Sequence, residues 1–195
     1  MTTTHRTRAR PMAPAERRDH LIDVTLRLLR EHGREVTTKQ IAEAAGVAEG
    51  TIFRVVDTKE ELVDAAIVRA FEPGALMERI REIDPEQPLE KRLLILVAVL
   101  QQRWQATFDL MRRVGLVRPP HHDHPQADAD RRRLLDLIVA VIAPDADRLT
   151  LPPDLFAHRL RLLTFAGSHP HISDGHLLTP EDVVTTLLHG LQRNP

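Results

Sequence analysis

Two sets of residues in this chain have types and spacings that could do chemistry. His121, His122 and His124 surround Asp123 in a proline-rich stretch, and His169, His171 and His176 gather in another, all of them types that can ligate zinc. The second set is polar and unreactive. Thr37 and Gln40, followed by Gly50 and Thr51, are small or polar residues at the starts of two short segments, a pattern suited to contact with DNA rather than to catalysis.

The histidines do not have the spacing of a rigid metal site. Flexible loops leave ligands unorganised, and exposed loop histidine is the simpler account. No serine nucleophile elbow, phosphate-cradling glycine loop or zinc-binding His-Glu-x-x-His helix accompanies them. A metal-assisted hydrolase is therefore the weaker rival, and no catalytic residue, metal or cofactor is assigned.

The polar set needs elements to position it, and the sequence around it provides them. Thr37 with Gln40 three residues later forms a capping box, so a helix starts there with Ile41, Ala42 and Ala45 on its apolar side. Gly46 supplies the residue type that accepts the left-handed conformation ending a helix, and Val47 is expected as a buried hinge. After a turn of about three residues, Gly50, Thr51, Ile52 and Phe53 open a second short helix with small and polar residues leading. Two short helices crossing at a tight turn make the helix-turn-helix geometry that enters a DNA major groove.

Composition sets the limits on this reading. At 195 residues and 42% apolar content the chain can build a real core as one large domain or two small ones. There are no cysteines, which rules out disulfides and cysteine metal sites and fits a reducing cytoplasm. Residues 1–18 are arginine-rich and lack the apolar core of a secretory signal. The longest apolar run, 93–100, falls far short of the ~20 residues that span a bilayer, so no membrane association is expected. With 27 Lys and Arg against 28 Asp and Glu, any nucleic-acid contact must come from a local patch. Residues 1–14 form an expected arm, and Arg6, Arg8, Arg10, Arg17 and Arg18 stand against the single acid Glu16; the arm is either a phosphate or minor-groove contact or a solvated tail.

Helical periodicity runs through the rest of the chain. Leu21, Ile22, Val24, Leu26, Leu28 and Leu29 mark a helix over about 15–31 that Gly33 ends. Thr58 and Glu61 form another capping box, opening a helix through Leu62, Ala65, Ala66, Ile67 and Phe71 that Pro73 and Gly74 stop or bend. A brief helix through Leu76, Ile80 and Ile83 precedes Pro85 and Pro88, and a long one follows over 89–114. That helix is apolar nearly all round between 93 and 100 and should be central to the second half. Helices are expected over 127–143, 155–167 and 181–191. The chain reads as all-α, with about nine helices and no strand pattern, repeat or low-complexity segment.

The motifs between 16 and 71 resemble the DNA-binding domain of the tetracycline-repressor-like (TetR) family of bacterial transcription regulators. The resemblance rests on LLREHG at 28–33, TTKQIAEAAGV at 37–47, GTIFR at 50–54 and TKEEL at 58–62, in order and at the family's spacing. LLTFAGSHP and LLHGL also look like the family's closing helices. The resemblance implies a three-helix helix-turn-helix domain over 15–72 and a helical regulatory and dimerisation domain over 73–195. It implies a homodimeric repressor of a palindromic operator, released by a small-molecule ligand that shifts the population away from the DNA-competent state. An activator, or a regulator without an inducer, is the alternative within the class.

Carried over by position, the resemblance puts Thr37, Thr38, Lys39, Gln40, Ala48, Glu49, Gly50, Thr51, Phe53, Arg54 and Lys59 at the DNA. Gly50 permits close backbone approach, Thr51 offers a hydroxyl, and Arg54 and Lys59 are the best-placed phosphate anchors. Departures are visible. Phe53 replaces the usual tyrosine, Val55 and Val56 replace an aromatic or histidine pair, and Glu49 stands where neutral or basic residues are frequent. A carboxylate at 49 either accepts from a cytosine amino group or repels the backbone. With fewer anchors on the second helix, the arginine arm gains weight as a compensating contact.

The second half suggests shape more than chemistry. Leu100, Trp104, Thr107, Phe108 and Met111 lie at helical spacing and would line an apolar pocket or form ordinary core. Gln101, Gln102, Arg103, Thr107 and Arg112 are the polar candidates for orienting a ligand, and nothing selects among them. Leu155, Leu162, Leu163, Val183, Val184, Leu187, Leu188 and Leu191 form broad apolar faces on the last two helices, expected to build a four-helix dimer interface while sharing in the intramolecular core.

Overall fold

The structure, a computed structural model, describes residues 12–120 and 125–190. Arg6, Arg8, Arg10, His121, His122, Asp123, His124 and Leu191, all singled out above, lie outside them. Among the described residues there are nine α-helices, two short 3-10 turns and no strand. The chain divides between Ala70 and Phe71 into two compact units. The division falls inside the end of a helix, whereas the sequence boundary followed the Pro73–Gly74 break.

The first unit holds α1 (Pro14–His32), α2 (Thr38–Ala45), α3 (Glu49–Ile52) and nearly all of α4 (Lys59–Phe71). Its core is the meeting of their apolar faces: Leu21, Ile22, Val24 and Leu29 from α1, Ile41 and Ala42 from α2, Ile52 from α3, and Leu62, Val63, Ala66 and Ile67 from α4, with Val36 and Val56 closing it. Arg17 and Arg18, grouped with the arm from sequence, belong instead to α1, because Pro14 at its first position needs no amide partner and starts the helix early. Arg17 donates to the Met12 carbonyl at 3.0 Å and Arg18 faces Glu61 of α4 at 3.6 Å. Arg69 of α4 grips Asp19 and Asp23 of α1 at 2.6 and 3.0 Å.

The second unit holds α5 (Gly74–Arg81), α6 (Leu89–Val114), α7 (Pro125–Ile142), α8 (Pro153–Ser168) and α9 (Pro180–His189). The 26-residue α6 packs against all four others, which explains why its sequence is apolar on several sides. Leu93, Leu96, Val97 and Leu100 meet Ile138 and Ile142 of α7, Phe156 and Leu160 of α8, and Val183 and Val184 of α9.

One charge is built into this core. Arg92 is 2% exposed. Its guanidinium donates to the carbonyls of Val141, Pro85 and Gln87 at 3.1, 2.8 and 2.8 Å and to Asp145 at 2.5 Å. A buried cation is tolerated only when its donors are satisfied, and here they pin the end of α7 to the start of α6. Hydrogen bonds from Arg148 and from Arg92 hold the Asp145 carboxyl below the ordinary carboxylate value.

Candidate nucleic-acid interface

The helix-turn-helix is built by local hydrogen bonds. Thr37 accepts from the Gln40 amide at 3.2 Å, and the Gln40 side-chain carbonyl accepts from the Thr37 amide and hydroxyl at 2.8 and 2.9 Å. Gly46 then adopts φ 67° and ψ 32°, and Val47 donates to Ala42 at 3.0 Å, closing the α2 end as a left-handed cap. Val47 is half-buried rather than fully buried, since the short α2 leaves the turn at the surface. The His20 ring meets the Ala45 carbonyl at 3.3 Å and ties α1 to the end of α2. Beyond α3, Thr58 accepts from the Glu61 amide at 3.1 Å, while the return bond to the Glu61 carboxylate comes from Asp57, one residue earlier than the spacing implied.

Ile52 is the only residue of four-residue α3 that is buried. It anchors the helix, and the rest of that turn faces out. Glu49, Gly50, Ala48, Phe53 and Arg54 are exposed and Thr51 is half-buried. A methyl group built at Gly50 would meet no atom within 4 Å, so glycine is not demanded by packing there. Phe53 is 51% exposed, an unusual position for an aromatic ring with no partner of its own. The side chains of Lys39 and Arg54 have no hydrogen-bond or ion-pair partner among the described residues. Lys59 is half-buried and stands 3.6 Å from Glu60.

Thr37, Thr38, Lys39, Gln40, Ala48, Glu49, Gly50, Thr51, Phe53 and Arg54 therefore lie in one stretch of turn and helix termini, with Lys59 opening α4. Gln40 keeps only its amide donors, its carbonyl being spent on the cap. One link escaped the sequence reading: the Thr38 hydroxyl, at the start of α2, donates to the Glu49 carboxylate at the start of α3. Nothing local in the sequence marks a contact across the turn.

In the second unit the polar candidates are engaged within the protein. Gln101 donates to the Leu178 carbonyl at 2.7 Å, Gln102 accepts from Arg79 at 2.6 Å, Arg103 donates to the Glu72 carbonyl at 3.3 Å, Thr107 donates to the Arg103 carbonyl at 2.8 Å, and Arg112 pairs with Asp109 at 2.9 Å. The predicted pocket stripe splits. Leu100 is core, and Trp104 and Phe108 stack edge-on against Phe165 at 5.5 and 5.2 Å. Phe108 and Met111 border a cavity of about 320 Å³ completed by Leu116, His169 and Pro170. Phe165 on α8 and His169 just past its end, four residues apart, were the signal missed. His169 packs 4.5 Å from Phe108, and its Nδ1 is buried without a hydrogen-bond partner.

Of the apolar faces on α8 and α9, Val183 and Val184 are fully buried within the unit, Leu163, Leu187 and Leu188 are half-buried, and Leu155 and Leu162 are 38% and 48% exposed. Among the described residues no three His, Asp or Glu side chains gather as a metal site, and His169, His171 and His176 are included in that statement. No described helix is long and apolar enough to cross a membrane.

Residues 21–66 match the family described as bacterial regulatory proteins, tetR family. The chain is 34% identical over 110 residues to the HTH-type transcriptional repressor KstR of Rhodococcus jostii (strain RHA1), a match covering 49% of this chain and 51% of that protein. The match thus spans about half the length of that relative. The fold is similar to the fatty acid degradation regulator FadR of Bacillus halodurans, with TM-score 0.61, 19% identity and coverage of 95% of this chain and 100% of that one. It is also similar to a tetR-family transcriptional regulator of Streptomyces coelicolor, with TM-score 0.58, 25% identity and coverage of 91% and 79%.

Proposed function

Starting from an N-terminal unit whose residues 21–66 match the family of bacterial regulatory proteins, tetR family, we propose that this unit is a DNA-binding domain and the protein a homodimeric repressor of a palindromic operator, released by a small-molecule ligand. The observation that carries the reading is the concentration of unpartnered polar groups on one capped helix-turn-helix. Lys39 and Arg54 are cations without internal partners, Thr51 offers a hydroxyl, and Gly50 leaves open space where a phosphate chain can come close. Phosphate contacts orient such a head, and base edges give it sequence preference.

Two heads related by a two-fold axis would read two half-sites about 34 Å apart. Leu155 and Leu162, exposed on α8, with half-buried Leu163, Leu187 and Leu188, supply apolar surface for the second copy, and Val183 and Val184 stiffen α9 from within. The cavity beside Phe108, Met111 and His169, which Asp109, Arg112 and His171 also line, suits a small ligand with an apolar body and polar groups. Trp104, the single tryptophan, touches the same aromatic cluster through Phe165. Its emission should therefore change when a compound enters.

The deciding experiment is titration of duplex fragments from the DNA flanking the protein's own gene, at several salt concentrations. Tight, salt-dependent binding to one fragment over shuffled controls is expected. Equal weak binding to all fragments would sink the proposal, and turnover of a substrate without DNA binding would replace it with an enzyme.

A further inference from the structure

The reading head carries one group that a DNA-binding surface should avoid. Glu49 is exposed at the first position of α3, among Lys39, Gly50, Thr51 and Arg54, and no cation among the described residues pairs with it. A carboxylate facing a polyanion is repelled by it. If repulsion were all it did, solvent would be its natural environment and its rotamer would be free. Instead Thr38, eleven residues back and on another helix, donates its hydroxyl to one carboxylate oxygen. The other oxygen keeps its acceptor capacity, aimed from a fixed base.

What can satisfy that oxygen in duplex DNA is limited. Phosphates and deoxyribose offer no donors, so the partner must be an exocyclic amino group on a base edge. In the major groove these are the N4 amino of cytosine and the N6 amino of adenine. Adenine places its N7 acceptor beside the amino group, where a second carboxylate oxygen would meet it. Cytosine has no such acceptor on its own edge, and a carboxylate accepting from cytosine N4 is the matching pair.

We propose that Glu49, held by Thr38, reads a cytosine amino group in each operator half-site and makes one C·G pair a fixed element of the recognised sequence. The inference rests on the head binding DNA as described above. In this role Thr38 is a positioning residue: its proton is committed to Glu49 and is not offered to a phosphate. The carboxylate then costs affinity on every sequence that lacks the donor, which sharpens preference more than it strengthens binding.

The test is selection by the full-length protein from a library of randomised duplexes, read by sequencing, for the wild type and for E49Q, T38V and T38S. The wild type should enrich an inverted repeat with C·G at one position of each half. E49Q should shift that position alone toward A·T, because a carboxamide offers both a donor and an acceptor to adenine. T38V should keep cytosine but lose about tenfold in discrimination at that position, the scale of one base contact, and T38S should restore it. E49Q binding every sequence more tightly, with no change in preference at any position, would overturn the inference in favour of plain repulsion. Unchanged discrimination in T38V would overturn the role of Thr38. A library from which no sequence is enriched, by the wild type included, would overturn the DNA-binding reading itself, and so is distinguishable from the other two.

Discussion

In the N-terminal unit Lys39 and Arg54 end without a partner, whereas in the C-terminal unit Gln101, Gln102, Arg103, Thr107 and Arg112 each bond within the protein. Arg92 carries that difference furthest, with four internal acceptors and almost no exposure. Residues of the same type thus do opposite work in one chain. A polar group with no internal partner is available to another molecule, and one satisfied by backbone carbonyls is part of the scaffold. The N-terminal unit shows its chemistry on the surface. The other offers a partner mainly shape: an aromatic cavity edge and exposed leucines.

That contrast can be broken by substitution, and the largest effect is expected at Arg92. Arg92→Ala leaves three carbonyls without their donor and Asp145 with Arg148 alone, and should cost about 3 kcal/mol or more in urea unfolding. A loss below about 1 kcal/mol, typical of surface positions, would contradict its scaffold role. Gly167→Ala comes next. Its new Cβ would lie 2.8 to 2.9 Å from Leu178, the residue whose carbonyl holds Gln101, so overpacking should cost about 1–3 kcal/mol and lower the melting temperature. An unchanged melting temperature would show that Leu178 yields freely.

On the head the pattern should invert. Lys39→Ala and Arg54→Ala should leave stability within about 0.5 kcal/mol, while each lowers the slope of log affinity against log salt by about 1. Loss of stability with an unchanged slope would make these residues scaffold after all. Acid should act on the scaffold side. The Asp145 carboxyl titrates below its ordinary value through its bonds to Arg148 and Arg92, so its contribution is complete above the unfolded value and fades as pH falls through the lowered one. Melting temperature measured below about pH 4 should therefore fall less steeply in Asp145→Asn than in the wild type. Gly50→Ala should gain up to about 1 kcal/mol of stability in open space yet weaken DNA binding by holding the backbone away.

The same contrast explains what could be read from sequence. The head is made of local devices: the Thr37–Gln40 box, Gly46 and the Thr58 cap act within three or four residues, so spacing alone announced them. The all-helical class and its nine helices followed from periodicity in the same way. What stayed hidden depends on distant partners. Gln101 looked like a ligand contact because the Leu178 carbonyl that occupies it lies 77 residues away. Arg92 drew no notice in the sequence, because its partners Val141 and Asp145 lie 49 and 53 residues away. Thr38 and Glu49 are only eleven residues apart, but the turn between them decides that they meet.

The brevity of α3 has a further consequence. Four residues cannot hold a helix in water by themselves, because nucleating a turn is costlier than a single turn can repay. The surface proposed to read DNA therefore exists only while Ile52 stays buried in the core of the N-terminal unit. Warming that loosens this core would erase the proposed reading surface before any of its exposed residues is altered, so the temperature at which that surface is lost would be set by a buried isoleucine.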